Sequence, residues 1–230
     1  MKKKKTVLFD IDYTLFDVNY FNKNFHKKMA GIFGLDEILV RESSIDAIDE
    51  IVSSNSFLDI DKYIILFLKK IKKEEEKKEV EKLFYNSRFF KKGFYKEVKK
   101  TLKLVSKIAK IGIFSKGDYK FQWAKIEQSG FKDFFHKETI YIGHDKLKFI
   151  PVLKKNHKDE KIFLVDDKPM VIYEIKKNFP SVFTIWLKRG KYTDEAKEIP
   201  DYNPDATIDN LLEVVEIIKK SQKLKVKIAS

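Results

Sequence analysis

The chain has no cysteine. That excludes disulfides, thiolate metal sites and a cysteine nucleophile, and it leads us to expect a reducing, cytoplasmic setting. Arginine is scarce too: Arg41, Arg88 and Arg189 stand alone among 48 basic residues. Nucleic-acid readers favour arginine for bidentate contacts to bases and phosphates, so a net charge of +13 built from lysine is a weak footprint of that kind. No apolar run approaches the roughly 18 residues of a membrane span, and the longest is only Tyr63 to Leu68. The basic start passes into Thr6-Val7-Leu8-Phe9 before Asp10 and Asp12 interrupt it, which is not the form of a signal peptide. His26, His136, His144 and His157 share no metal-ligand spacing and are expected on the surface or in loops.

What is present suits a packed enzyme. The 230 residues are 43% hydrophobic and 36% charged, enough for one large domain or a core with an insertion. Much of the surplus charge is terminal, in Lys2 to Lys5 and in Lys219, Lys220, Lys223, Lys225 and Lys227. We expect these ends to be solubilising and to lie away from any site, with Lys2 to Lys5 ahead of the first strand and the tail beyond the last helix.

Thr6 to Phe9 is a short apolar run ending in Asp10-Ile11-Asp12, the pattern of a buried strand whose C-terminal end opens into a polar site. Residues 17–92 then show only helical spacing, as in Phe21, Phe25 and Met29, or Tyr63, Ile64, Phe67 and Leu68. The lysine and glutamate run from Lys69 to Lys82 reads as a solvated helix face, and the segment as a whole carries only +1. It reads as a helical insertion. After Gly93, helices and strands alternate: a helix over Phe94 to Lys110, strand Ile111 to Phe114, helix Tyr119 to Ser129, and a short strand near Thr139 to Ile142. A helix follows over Phe149 to Lys155, then strand Ile162 to Val165, helix Met170 to Phe179, strand Val182 to Leu187 and a final helix Asn210 to Lys220. Alternation without hairpin signals predicts an α/β fold: a doubly wound, mainly parallel, Rossmann-like sheet from residues 1–16 and 93–230, interrupted by an α-helical segment at 17–92.

Several of these strands end in reactive groups: Asp10 and Asp12, then Ser115, then Asp166 and Asp167. Parallel strands bring their C-terminal ends to one edge, so the carboxylates would meet in one crevice and repel. A divalent cation resolves that cost. Aspartates without histidine or cysteine select a hard ion, and Mg2+ suits phosphate chemistry.

Asp10-Ile11-Asp12-Tyr13-Thr14 resembles the DxDxT first motif of the haloacid dehalogenase superfamily, and the later motifs follow in order. Ser115, in Ser115-Lys116-Gly117-Asp118, matches the second; Lys146 matches the third; Asp166-Asp167 matches the acidic fourth. Lys148 is an alternative for the third, but Lys146 precedes Phe149, Ile150 and Leu153 at helical offsets. Singly, Asp12, Ser115 or Asp166-Asp167 would pass as turn formers or caps. The resemblance implies that Asp10 is the nucleophile forming an aspartyl-phosphate, and that Asp12 is general acid and then general base, with its backbone carbonyl on the metal. It implies that Ser115, the backbone of Lys116 and Gly117, and Lys146 bind the phosphoryl group. Asp166 and Asp167 would join Asp10 and Asp12 around Mg2+.

In this family a dehalogenase lacks the second aspartate because a halide needs no proton, so Asp12 implies a phosphate ester. A phosphatase is the leading expectation, with a phosphomutase or phosphotransferase as the near alternative. An insertion between the first two motifs is the family's usual place for a helical cap, where substrate identity is read. Tyr20, Phe21, Asn24 and Phe57 are candidate lining residues, though such an aromatic stripe at helical spacing is more often packing core. The expected partner is a small phosphorylated metabolite such as a sugar phosphate, phosphoglycolate or nucleotide, with no membrane and no specific nucleic acid. Two other classes weighed are a lysine-rich nucleic-acid-associated protein and a phosphoacceptor receiver domain; the latter needs neither an insertion nor Asp12.

Overall fold

The computed structural model describes residues 4–55 and 57–223. Strands β1 (Lys4–Phe9), β2 (Lys110–Lys116), β3 (Ile140–Gly143), β4 (Glu160–Asp166), β5 (Phe183–Leu187) and β6 (Ala206–Ile208) form one sheet in the order β3-β2-β1-β4-β5-β6. Every pairing is parallel. Because side chains alternate along a strand, each inner strand feeds two cores. Val7, Phe9, Ile113, Phe163 and Val165 face one, shared with α6 (Val98–Val105) and α10 (Glu213–Lys223). Leu8, Phe114, Ile162 and Leu164 face the other, shared with α8 (Ile150–Asn156) and α9 (Pro169–Asn178). Apolar residues on both faces are what made these strands legible as near-continuous hydrophobic runs.

Between β1 and β2 the described chain is helical: α1 (Val18–Phe33), α2 (Glu37–Asn55), α3 (Ile60–Lys70), α4 (Lys77–Phe84) and α5 (Ser87–Gly93). Asp17, Asp59 and Asn86 cap α1, α3 and α5 by accepting backbone N–H bonds, and Gly34 ends α1 in the left-handed conformation. Phe21 sits among Phe25, Phe84, Phe90 and Phe121, with ring centroids 5.3–6.0 Å away. Burying one such ring contributes about 1.5–3 kcal/mol, and this cluster seats the helices on α7 (Tyr119–Gln128). The two crossings are also joined, since the Asp17 N–H donates to the Gly93 carbonyl at 2.7 Å.

Several details differ from the sequence expectations. The lysine and glutamate run is not one helix: α3 stops at Lys70, Lys72 takes a positive φ of 55°, and a 3-10 turn at Glu74–Glu76 precedes α4. Helix α6 starts four residues late because Phe94 stays extended and bridges to Phe16. Strand β6 has no counterpart in the sequence expectations, being only three residues long and held by pairing with β5. Lys4 and Lys5 belong to β1 instead of preceding it, and the Lys5 Nζ donates to the Ile218 carbonyl at 2.7 Å, tying β1 to α10. Lys2, Lys3, Lys225 and Lys227 lie outside the described residues. His26 and His157 are buried, the latter because it links the Tyr141 hydroxyl (3.0 Å) to Glu160 (2.8 Å). Among the described residues no helix is long and apolar enough to cross a membrane.

Gly112 offers a test of the packing. A Cβ there would stand 2.4 Å from the Thr139 carbonyl oxygen and 2.7 Å from a Leu8 methyl, whereas one at Gly31 in α1 would meet nothing. In chemical denaturation, Gly112→Ala should lose about 1–3 kcal/mol and Gly31→Ala should gain about 0.5–1 kcal/mol; equal effects would contradict this packing.

Candidate active site

The strand order places β1 between β2 and β4, so the chain winds away in opposite directions from β1, and a crevice opens at the C-terminal ends there. Register sets the contents. Phe9 pairs with Ile113 on one side and Val165 on the other, which brings Asp10 and the Asp166-Asp167 pair to the same level. Carboxylate oxygens of Asp10, Asp166 and Asp167 all lie within 4.8 Å of one another, and all three residues are buried.

One cation answers these charges directly. Lys146, itself only 4% exposed, enters from the turn after β3 and donates to Asp10 Oδ1 at 3.0 Å and to Asp166 Oδ2 at 2.5 Å. Burial alone would lower its pKa, but Asp10 and Asp166 outweigh that and hold it above the usual lysine range. Lys148, the alternative, is exposed. Burial, and then the neighbouring Asp166 and Asp12 charges working against Lys146, push Asp10 up to about 6. Asp167 is pushed up further, by burial and by the charges of Asp166 and Asp10.

The surrounding loops fix these groups. The Thr14 hydroxyl donates to Asp167 Oδ1 (3.4 Å), the Trp186 indole to the Asp167 carbonyl (3.0 Å), and the Lys168 N–H to Asp166 Oδ1 (3.0 Å). Arg189 donates to the Thr14 carbonyl (3.0 Å), pairs with Glu97 and lies over the Tyr95 ring. Tyr13 holds a left-handed φ of 58°, a strained conformation for a bulky residue, and packs on Gly190, where a Cβ would come within 2.9 Å of its ring. Of the four buried side-chain polar atoms without a hydrogen-bond partner among the described residues, two belong to these strand ends, Ser115 Oγ and Asp167 Oδ2. Orphans of this kind call for an explanation, and beside three carboxylates they fit a cation and an oxyanion.

Not every anticipated residue is in this cluster. The Asp12 side chain, one-third exposed, turns to α7, where Lys125 Nζ donates to Oδ1 at 2.6 Å and Gln122 Nε2 to Oδ2 at 2.8 Å. Its carboxylate is therefore outside the acidic trio. The Gly117 N–H, expected to face a phosphoryl group, donates to the Gly143 carbonyl at 3.0 Å, because β2 continues its pairing with β3 that far. The Lys116 side chain is exposed. Phe21 is core; Tyr20 and Asn24 border a groove with Arg88 and Phe89; Phe57 stacks on His144, two residues before Lys146, with centroids 3.5 Å apart. Gln122, Lys125 and Arg189 were not anticipated. The only signal for the first two was a glutamine and a lysine on the stripe that α7 buries with Phe121 and Ile126.

No protein-family model matches the chain. The glyceraldehyde 3-phosphate phosphatase of Methanopyrus kandleri is 26% identical over 233 residues, covering 95% of this chain and 99% of that protein. A structure from Burkholderia xenovorans LB400, provisionally described as a haloacid dehalogenase-like hydrolase, superposes with a TM-score of 0.77 at 20% identity, over 94% of this chain and 96% of that one. A Bacillus subtilis protein described in the same provisional way, bound to magnesium, superposes at 0.63 with 15% identity, over 94% and 99%. The structural likenesses establish the fold.

The raised carboxyls set a sign. A carboxyl that holds its proton more tightly when folded lends stability that is full below its ordinary pKa and is lost as pH rises through its folded value, about 6 for Asp10. Without divalent cations, Asp167→Asn should therefore melt above wild type near neutral pH, by about 3–6 °C for a gain on the order of 1–2 kcal/mol. Asp167 itself is raised to about 9, so it already holds its proton at neutral pH when folded, and the difference should shrink only as pH falls toward about 4, the ordinary carboxyl value. Added Mg2+ should raise the wild-type melting temperature more than the variant's.

Proposed function

We propose that this chain, whose fold is that of haloacid dehalogenase-like proteins and whose acidic strand ends meet in one buried crevice, is a Mg2+-dependent phosphatase acting on a small phosphorylated metabolite through an aspartyl-phosphate at Asp10. The observation that carries this reading is the trio Asp10, Asp166 and Asp167 beside the orphaned Ser115 Oγ and Asp167 Oδ2. Three clustered carboxylates, with Lys146 in direct contact and Lys168 as a more distant cation, hold their protons more tightly than usual, a cost that a hard cation would relieve, and an all-oxygen donor set suits Mg2+. Asp10, Asp166 and Asp167 would hold it, with the Asp12 backbone carbonyl as a further donor. Bound there, Mg2+ would draw charge from the phosphoryl oxygens and relieve the repulsion among the carboxylates.

The chain's own residues supply the rest. Asp10, oriented by Lys146, attacks phosphorus while the ester oxygen departs with a proton from Asp12. Ser115 donates its hydroxyl to a phosphoryl oxygen, and Lys146 offsets the charge gathering there. Asp12, now a carboxylate, takes a proton from the water whose oxygen attacks phosphorus. That breaks the bond to Asp10 and releases inorganic phosphate.

In this reading residues 17–92 are a cap on a core of residues 1–16 and 93–230, and the Phe57–His144 stack is a contact between the two near Lys146. A cap over the crevice favours small substrates over phosphoproteins. The relative's substrate, glyceraldehyde 3-phosphate, makes triose phosphates the first compounds to try. The absence of cysteine favours a cytoplasmic setting.

Wild-type protein with Mg2+ should hydrolyse p-nitrophenyl phosphate and at least one compound of a phosphorylated-metabolite panel. Chelation should stop turnover, and Asp10→Asn should lower it by about a thousandfold or more. Turnover by Asp10→Asn at the wild-type rate would overturn the proposal. Formation of an isomeric phosphate without release of inorganic phosphate would replace it with the mutase alternative.

A further inference from the structure

Among the described polar residues Lys125 and Gln122 are nearly fully buried, each 2% exposed. They stand three apart on α7 and face one carboxylate. Lys125 Nζ reaches Asp12 Oδ1 at 2.6 Å, and Gln122 Nε2 reaches Oδ2 at 2.8 Å, so each oxygen is held by a separate donor. Gln122 is itself fixed: its amide nitrogen also donates to the Lys116 carbonyl (3.0 Å), and its carbonyl accepts from Lys125 (3.0 Å). Gly117 makes room for it, since a Cβ there would stand 2.9 Å from Nε2. Lys125 lies over the rings of Phe16 (4.9 Å) and Phe121 (4.3 Å), and among the described residues its carboxylate partner is Asp12. A buried ammonium with a single counter-ion is costly when that partner is lost or turned away.

We propose that Lys125 and Gln122 are positioning residues that hold the Asp12 carboxyl for proton transfer to the leaving oxygen. Resting on the phosphatase reading above, this assigns α7 a task apart from phosphoryl binding. As the ester P–O bond breaks, the proton on Asp12 passes to the departing oxygen, and negative charge appears on Asp12 next to the Lys125 ammonium. Lys125 keeps all its protons. The interaction strengthens as that charge forms, so it favours the transition state over the ground state. A leaving group that departs as a stable anion needs no such proton and should be indifferent to it.

The test compares kcat/KM, which covers steps through leaving-group departure, for an alkyl phosphate from the active panel and for p-nitrophenyl phosphate, both with Mg2+. Lys125→Met keeps the apolar stem between the two rings and should lose about tenfold to a hundredfold on the alkyl ester, but under about threefold on the nitrophenyl ester. Gln122→Leu should show the same selectivity to a smaller degree, and Lys125→Arg should recover part of the loss. Melting temperatures measured alongside separate misfolding from the effect. Equal losses on both esters, or none, would overturn the proposal while wild-type turnover and its dependence on Asp10 leave the phosphatase reading intact. No wild-type turnover of any ester would defeat both.

Discussion

The structure is organised around three carboxylates held where they repel one another. Asp10, Asp166 and Asp167 are buried within a few ångströms of each other, with Lys146 bridging two of them. Taking an isolated charge out of water costs several kcal/mol even after relaxation, and like charges add to that. The fold tolerates the arrangement because each carboxylate sits at a strand end or in the turn just beyond it. The sheet positions them by register, and the bonds from Thr14, Trp186 and Lys168 hold the turns in place.

That constraint accounts for features that look unrelated. A left-handed Tyr13 between Asp12 and Thr14 lets one short loop send Asp12 toward α7 and Thr14 toward Asp167. Arg189, far along the sequence, grips the same loop through the Thr14 carbonyl and braces it on Glu97 and Tyr95. The helices inserted after that loop are tied back through Asp17 and Gly93, and their aromatic cluster rests on α7, the helix that carries Gln122 and Lys125. One helix thus meets both the inserted helices and the Asp12 side chain.

The legibility of this in the sequence follows the physics of each part. Asp10, Asp166 and Asp167 were legible because parallel strands buried on both faces are apolar runs, and a charge stopping such a run marks its C-terminal end. Lys146 over Lys148 followed from the helical offsets to Phe149, Ile150 and Leu153, and its burial is what separates the two in the structure. Gln122 and Lys125 were hidden because a lysine on a helix ordinarily reads as solvated, and only tertiary packing against Phe16 and Phe121 reveals it as buried. The Gly117 amide is taken by the Gly143 carbonyl because β2 runs to Lys116, two residues beyond the apolar run that ends at Phe114. Strand β6, at three residues, is too short for an alternating or apolar pattern to show.

In the proposed function this crevice moves a phosphoryl group onto Asp10. Rapid acid quench of the protein with Mg2+ and an active phosphate ester, followed by peptide mass spectrometry, tests it most directly. Transfer to Asp10 should add the mass of one phosphoryl group to the peptide containing it, and that increase should be absent from Asp10→Asn. Phosphorylation at another residue, or steady turnover with no covalent adduct at the shortest quench times, would contradict it.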